Sequence, residues 1–499
     1  MNTTNQTKFL LATSAIVSVA AFSATPAYAQ QVDDVTNSDF DITLTPIPDA
    51  NEDADLEVTG TNTIEFDFDG LFRFGDSSSP LTPAIKATNA ADLTLNNGAF
   101  GQEPDITVDG DIKYDGSNPF DLSIENVNVS SDKAIDVNVN GSVNLGAGTL
   151  DVTGASGQGG GFNNDPATLS VSGTTDAGDV TITGDFGAAN VTFTGAANVD
   201  KLDVIGGVTV DGDASVTASD NLTTTGLTLH GISRQASLTL DGSGTRTING
   251  AITSKGSPAE TSIIVNNTAG SVNFNDTIGA DGQEIGALTI IDGDINLEED
   301  TYVSNVTINN DKLTMQGGSR ELTADNITGN GVLNITNLDT ANVATNLDVD
   351  TVINNDSKIF AAGDVTSTNG ISLLGPTFGF LTLDGTGDQD VSAAIDNGTG
   401  SDGAGSIVVN NTGGNTTFSG GIGATNTVGS LTVTKGDTVL DSNASIDNVV
   451  VDADTLTNNS NNTLEADNIT GSSGTFINEG NANVGTDLDV ATATNNNVL

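Results

Sequence analysis

The pentapeptide Leu-Thr-Leu-Asp-Gly occurs twice, at Leu238–Gly242 and at Leu381–Gly385, 143 positions apart. Within each copy the apolar residues alternate with Thr and Asp. That period of two puts Leu238 and Leu240 on one face of a strand and Thr239 on the other. The glycine that follows suits a turn. Working outward, the same offset, to within two residues, aligns much of the flanking chain. Ile264–Gly270 (IVNNTAG) matches Val408–Gly414 (VVNNTGG). Phe274 and Thr277–Ala280 match Phe418 and Gly421–Ala424, and Ala287–Asp294 (ALTIIDGD) matches Ser430–Asp437 (SLTVTKGD). ADNITG recurs at Ala324–Gly329 and Ala466–Gly471, and LDV marks the block edges at Leu202–Val204, Leu347–Val349 and Leu488–Val490. A period near 143 residues is too long for one solenoid coil and reads as several coils duplicated together.

Short alternating segments fill the rest of the chain, among them Ile64–Phe68, Val208–Val210 and Leu431–Val433, separated by Gly, Asn, Asp and Ser. Sandwich, barrel and solenoid all accommodate that spacing. The duplication favours the solenoid, because a coil touches only its neighbours and extra coils are accepted without a linker. The sequence therefore predicts an all-β fold, a right-handed parallel β-helix with coils of about 20 residues. Asn266-Asn267 and Asn410-Asn411 are expected to stack as hydrogen-bonded ladders at turns.

The domain reading follows. Residues 1–29 have the form of a secretory signal: Lys8, an apolar run from Phe9, and the Ala27-Tyr28-Ala29 cleavage pattern. An acidic lead-in spans 30–55, an N-terminal solenoid region 56–201, repeat copy 1 202–346 and repeat copy 2 347–487. Residues 488–499 read as the start of a third copy, so the gene product is expected to continue beyond Leu499. The mature protein is expected outside the inner membrane of a Gram-negative bacterium.

Composition narrows function. The formal charge is −53, from 66 acidic and 13 basic residues. Phosphate binding needs clustered Lys and Arg, so nucleic acid is excluded as a partner, as is adsorption to anionic lipid. Most carboxylates have no cationic side chain to meet. They are expected to be solvated, screened by salt or bound to metal ions. Cysteine is absent. Asp49, Asn51, Asp53 and Asp55 resemble the opening of a calcium loop, although Ala54 and Gly60 stand where that loop has Gly and Glu. Calcium is thus the one cofactor that the sequence suggests. The single histidine, His230, reads as a solvated turn residue. The pairs Asp67/Asp69 and Asp388/Asp390 have the i, i+2 spacing that places two carboxylates on one strand face, the geometry of a glycosidase site but also a simple result of alternation. The expectation is no catalysis.

From Leu202 to Val490 the repeats resemble the passenger regions of large alphaproteobacterial autotransporters, especially the rickettsial outer-membrane surface antigens. The resemblance rests on Val265–Gly270, Phe274, Ile278–Ala280 and Leu288–Ile290, and again on Val409–Gly414, Phe418, Ile422–Ala424 and Leu431–Val433. It implies a β-helical passenger at the cell surface with an adhesive or surface-layer role, meeting receptors or glycans of host or neighbouring cells, with self-association as a further possibility. It also implies export through a C-terminal membrane barrel. The barrel's aromatic-girdled strands are not in this chain, so membrane attachment would need an anchor outside it. The competing reading is a β-helical protein that binds or degrades carbohydrate. Aromatics clustered beside a carboxylate pair would favour that reading, and Phe scattered in the core would favour the adhesin.

Overall fold

In Ile285–Leu297 each second side chain, Leu288, Ile290, Ile295 and Leu297, is withdrawn from solvent, and Thr289 and Asn296 between them point outward. A computed structural model shows how such strands are used. It describes residues 235–375, 379–398 and 403–496 continuously and, before 235, mainly separate strands. The fold is a parallel β-solenoid, consistent with right-handed winding. Among the described residues the strands pair in parallel, with partners one coil apart, for example Leu288 with Val306 and Val306 with Ile327. Two compact units are distinguished, Met1–Gly242 with Thr247–Thr261, and Ser243–Arg246 with Ser262–Leu499. Inside the first, Leu93, Leu122, Leu150 and Val180 pair in successive coils.

In the second unit each coil has three faces, and each contributes one inward column. The first column runs Leu288, Val306, Ile327, Leu347, Val365, Val391, Phe418, Leu440. The second runs Ile295, Leu313, Leu333, Val352, Ile371, Ile395, Ile422. The third runs Thr301, Leu322, Ala341, Ile359, Leu381, Ile407, Leu431, Val449, Ile469. The three columns form a core of β-branched and leucine side chains, with Phe274 and Phe418 as its largest aromatic members. Burying each such side chain contributes roughly 1.5–3 kcal/mol, which is how a chain without disulfides is held.

Coil length is less uniform than expected. The step is 18 residues from Leu288 to Val306 and 27 from Val391 to Phe418. The extra residues sit at corners between faces, where a longer loop does not disturb the ladder. Copy 1 passes into copy 2 through Leu347, which lies inside the strand Thr340–Asp348 and pairs on both sides, so no linker intervenes.

The two copies do not lie in line. Leu288 belongs to the first column, and its sequence equivalent Leu431 belongs to the third. From Leu288 the chain returns to the first face six times, ending at Phe418, and then advances two more faces to Leu431. The block is therefore six and two-thirds coils long. Copy 2 repeats the strands of copy 1 in the same order, each set back by one face.

Candidate functional site

The acidic residues find their partners at the corners between faces. Gly293 donates its N–H to Asp311 Oδ2 at 2.9 Å, and Lys312 donates its N–H to Asp294 Oδ1 at 3.2 Å. Copy 2 builds the same reciprocal clasp: Gly436 N–H to Asp454 Oδ2 at 2.7 Å, Thr455 N–H to Asp437 Oδ1 at 3.0 Å. Gly293 and Gly436 have φ of 94° and 87°, and a Cβ on either would collide with the backbone oxygen of Asn267 or Asn411. Glycine is therefore required in the Gly-Asp pair. Asp300, Asp364 and Asp396 likewise accept N–H groups from Glu321, Asp390 and Thr425 in the following coil. The expectation that carboxylates lacking cations must be solvated, screened or metal-bound is thus incomplete: many bracket one coil to the next.

The same holds for the pair Asp388/Asp390. Asp388 Oδ1 accepts the Asn415 N–H at 2.9 Å and Asp390 Oδ1 accepts the Ser419 hydroxyl at 2.7 Å. Both carboxylates are engaged in coil stacking. His230 lies in the strand Leu222–Gly231, between Asp211 and Lys255 in register, rather than in a turn. Asp67, Asp69 and the calcium-loop residues Asp49, Asn51, Asp53 and Asp55 lie outside the described residues. Among the described residues no group of three His, Cys, Asp or Glu side chains is placed to hold a metal ion. Within 1–29 only Val17–Ser18 is described, as a strand paired with Ile42–Thr43.

The expected Asn ladders are real but lie elsewhere. Asn267 and Asn411 turn inward, fully withdrawn from solvent, and donate to the backbone oxygens of Gly244 (2.7 Å) and Gly387 (2.6 Å). Stacked asparagines occur at other positions: in the core, where Asn458 donates to Asn478 (2.8 Å) and Asn478 to Asn495 (3.3 Å), and on the outer surface. Asn346 donates to Asn326 (3.2 Å), Asn326 to Asn305 (2.9 Å) and Asn305 to the Gly286 oxygen (3.3 Å). In copy 2, Asn468 donates to Asn448 (2.9 Å) and Asn448 to the Gly429 oxygen (3.4 Å).

These ladders belong to a wider surface feature. In copy 1 two outward columns run side by side: Ser262, Ala287, Asn305, Asn326, and Ile264, Thr289, Thr307, Thr328. In copy 2 the equivalent columns are Ser406, Ser430, Asn448, Asn468, and Val408, Thr432, Val450, Thr470. Neither lane contains a charged residue. The other faces of the copy 2 coils expose Asp390, Asp441 and Glu465, and Asp447 and Asp467 border the lane. Five of the eight lane positions are identical between copies and the other three exchange Ile for Val, Ala for Ser and Thr for Val. Ser304 and Asn309 beside the copy 1 lane correspond to Asp447 and Asp452 in copy 2, so the border differs in charge at these positions where the lane does not. Backward along the copy 2 lane the columns continue through Phe380 and Thr382 to Lys358 and Phe360. Both phenylalanines are half-buried on the outer surface. Both lanes end in acid, at Asp348 in copy 1 and at Asp487 and Asp489 in copy 2.

Two open depressions border the copy 2 lane. One, of 640 Å³, is lined by Ser445, Asp447, Glu465, Asp467 and Asn483 among others. The other, of 350 Å³, is lined by Asn411, Asn415, Lys435, Gly436 and Asp454 among others. Comparison with protein-family models, with characterised proteins and with solved structures returns no match. Alternation alone does not disclose the lanes, although in the triplets Leu288–Ile290 and Leu431–Val433 the outward residue is Thr in both copies.

Proposed function

We propose that this chain is a non-catalytic surface solenoid, exported by its N-terminal signal, that serves as an adhesive or structural element at the bacterial cell surface. The observation that carries the reading is the pair of uncharged outer lanes, kept through duplication in a chain whose remaining surface is rich in carboxylates. Hydrogen-bonded stacking of the Asp388/Asp390 carboxylates supports the non-catalytic part, because groups already fixed as acceptors between coils are poor proton shuttles. Phe274, Phe418 and Phe476 in the core favour the adhesin, and Phe360 and Phe380 beside a lane are the feature that brings carbohydrate in as a ligand.

The test is surface presentation and attachment together. Antibody against the chain is expected to label intact cells of the source bacterium, and purified chain is expected to coat host or bacterial cells saturably. Label confined to lysed cells, or no saturable coating, overturns the reading.

A further inference from the structure

The lanes restrict what partner they fit. A cationic partner would favour the carboxylate-rich faces over an uncharged strip. An anionic one would be repelled by a chain of net charge −53. A second copy of the chain would need more area. Together with its aromatic end, where Lys358 brings a charged side chain into the first column, the copy 2 lane spans about 24 Å from the coil of Phe360 to that of Asn468, at about 4.8 Å per coil, and is about 7 Å wide. It therefore offers on the order of 200 Å², against the roughly 800 Å² per partner of a specific protein interface. A narrow, neutral polymer remains. Hydroxyls of Ser406, Ser430, Thr432 and Thr470 and carboxamides of Asn448 and Asn468 offer donors and acceptors along it, and Phe360 and Phe380 offer flat apolar surface at one end.

We infer that the copy 2 lane binds a neutral glycan chain, its sugar rings stacking against Phe360 and Phe380 and its hydroxyls pairing with the Ser, Thr and Asn columns. This rests on the adhesive reading and names its ligand. The copy 1 lane is a second, weaker site. In sequence Ser237 stands where copy 2 has Phe380, so the aromatic end is not repeated. Along the axis the two sites are roughly 32 Å apart, six and two-thirds coils at about 4.8 Å each, and they open on different faces.

The full chain is tested on an array of neutral and acidic glycans, and the best neutral ligand is then titrated as its hexasaccharide by calorimetry. Binding to neutral glycans is expected, with two sites of unequal affinity and little change between low and high salt. Phe360→Ala with Phe380→Ala should weaken the tighter site at least tenfold. Thr432→Glu should abolish that site and Thr289→Glu the weaker one, with circular dichroism and melting unchanged as the check on folding. The proposal is overturned if no neutral glycan binds, if acidic glycans bind as well, or if Thr432→Glu binds as the parent does. It is also overturned if sedimentation shows self-association that Thr432→Glu removes, because the lane is then an interface between copies. Cell attachment that survives Thr432→Glu leaves the adhesive reading intact and rejects the glycan.

Discussion

At Asp437 one carboxylate oxygen accepts the Thr455 N–H at 3.0 Å, and the Gly436 N–H returns the bond to Asp454. An amide oxygen serves equally well as acceptor, so Asp437→Asn is expected to keep the clasp. Asp437→Ala leaves an N–H without its partner and should cost about 1–2 kcal/mol locally, read as faster hydrogen exchange at the Thr455 amide. Equal exchange in the two variants would mean that charge, not the acceptor, matters there. Asp339 is a different case. It is fully buried, and its Oδ1 accepts the Arg320 N–H at 2.8 Å. Burial pushes its carboxyl above the ordinary range, and backbone N–H groups of Arg320, Gly318 and Gly317 with the Arg320 charge oppose this. Burial raises Asp384 in the same direction. A folded pKa above the unfolded one gives stability that is fully present below the unfolded value and is lost as pH rises through the folded value. The stability of the parent relative to Asp339→Asn is therefore expected to increase as pH falls from about 7 to about 4, the range that spans carboxylate titration, measured by urea unfolding. A difference that is flat, or that shrinks on acidification, refutes it.

Single strands show what the sequence discloses and what it withholds. Ile278-Gly279-Ala280 and Ile422-Gly423-Ala424 recur because Gly279 and Gly423 hold φ of 67° and 66° while packed against the backbone oxygens of Tyr302 and Ser445. Gly423→Ala is expected to destabilise by about 2 kcal/mol or more, since it adds both left-handed strain and a clash. A melting temperature equal to the parent's would show that the corner relaxes freely. The alternation in Leu288–Ile290 made the strand, its buried side and the solenoid legible, because period and burial are local properties of the chain. The partners of Asp437 and Asn267 were not legible. They lie 18 and 23 residues away, and coil steps vary enough that no fixed spacing finds them. For the same reason Thr289 and Thr432, identical in motif, gave no sign that they stand on different faces.

Across the whole array of coils in the second unit, the three faces accept one another's strands. Val306 stands in the first column and its equivalent Val449 in the third, and both are fully buried. Excising residues 289–431 joins Leu288 to Thr432 and sets each downstream strand against neighbours close to those it has now. The shortened chain is expected to keep its β-sheet spectrum and to melt within a few degrees of the parent, because stability in such arrays is nearly a sum of neighbour terms. Loss of sheet, or broad non-cooperative melting, would show that each strand is tailored to its own face. The two-thirds remainder in the block length has a further meaning. Repeat length and coil length are out of phase, so a tandem duplication transfers a surface pattern to another face of the coils as well as copying it. Two successive duplications would leave it once on each side before the pattern closed on itself, like the marks of a vernier. A ligand could then approach from any direction and meet the same uncharged strip.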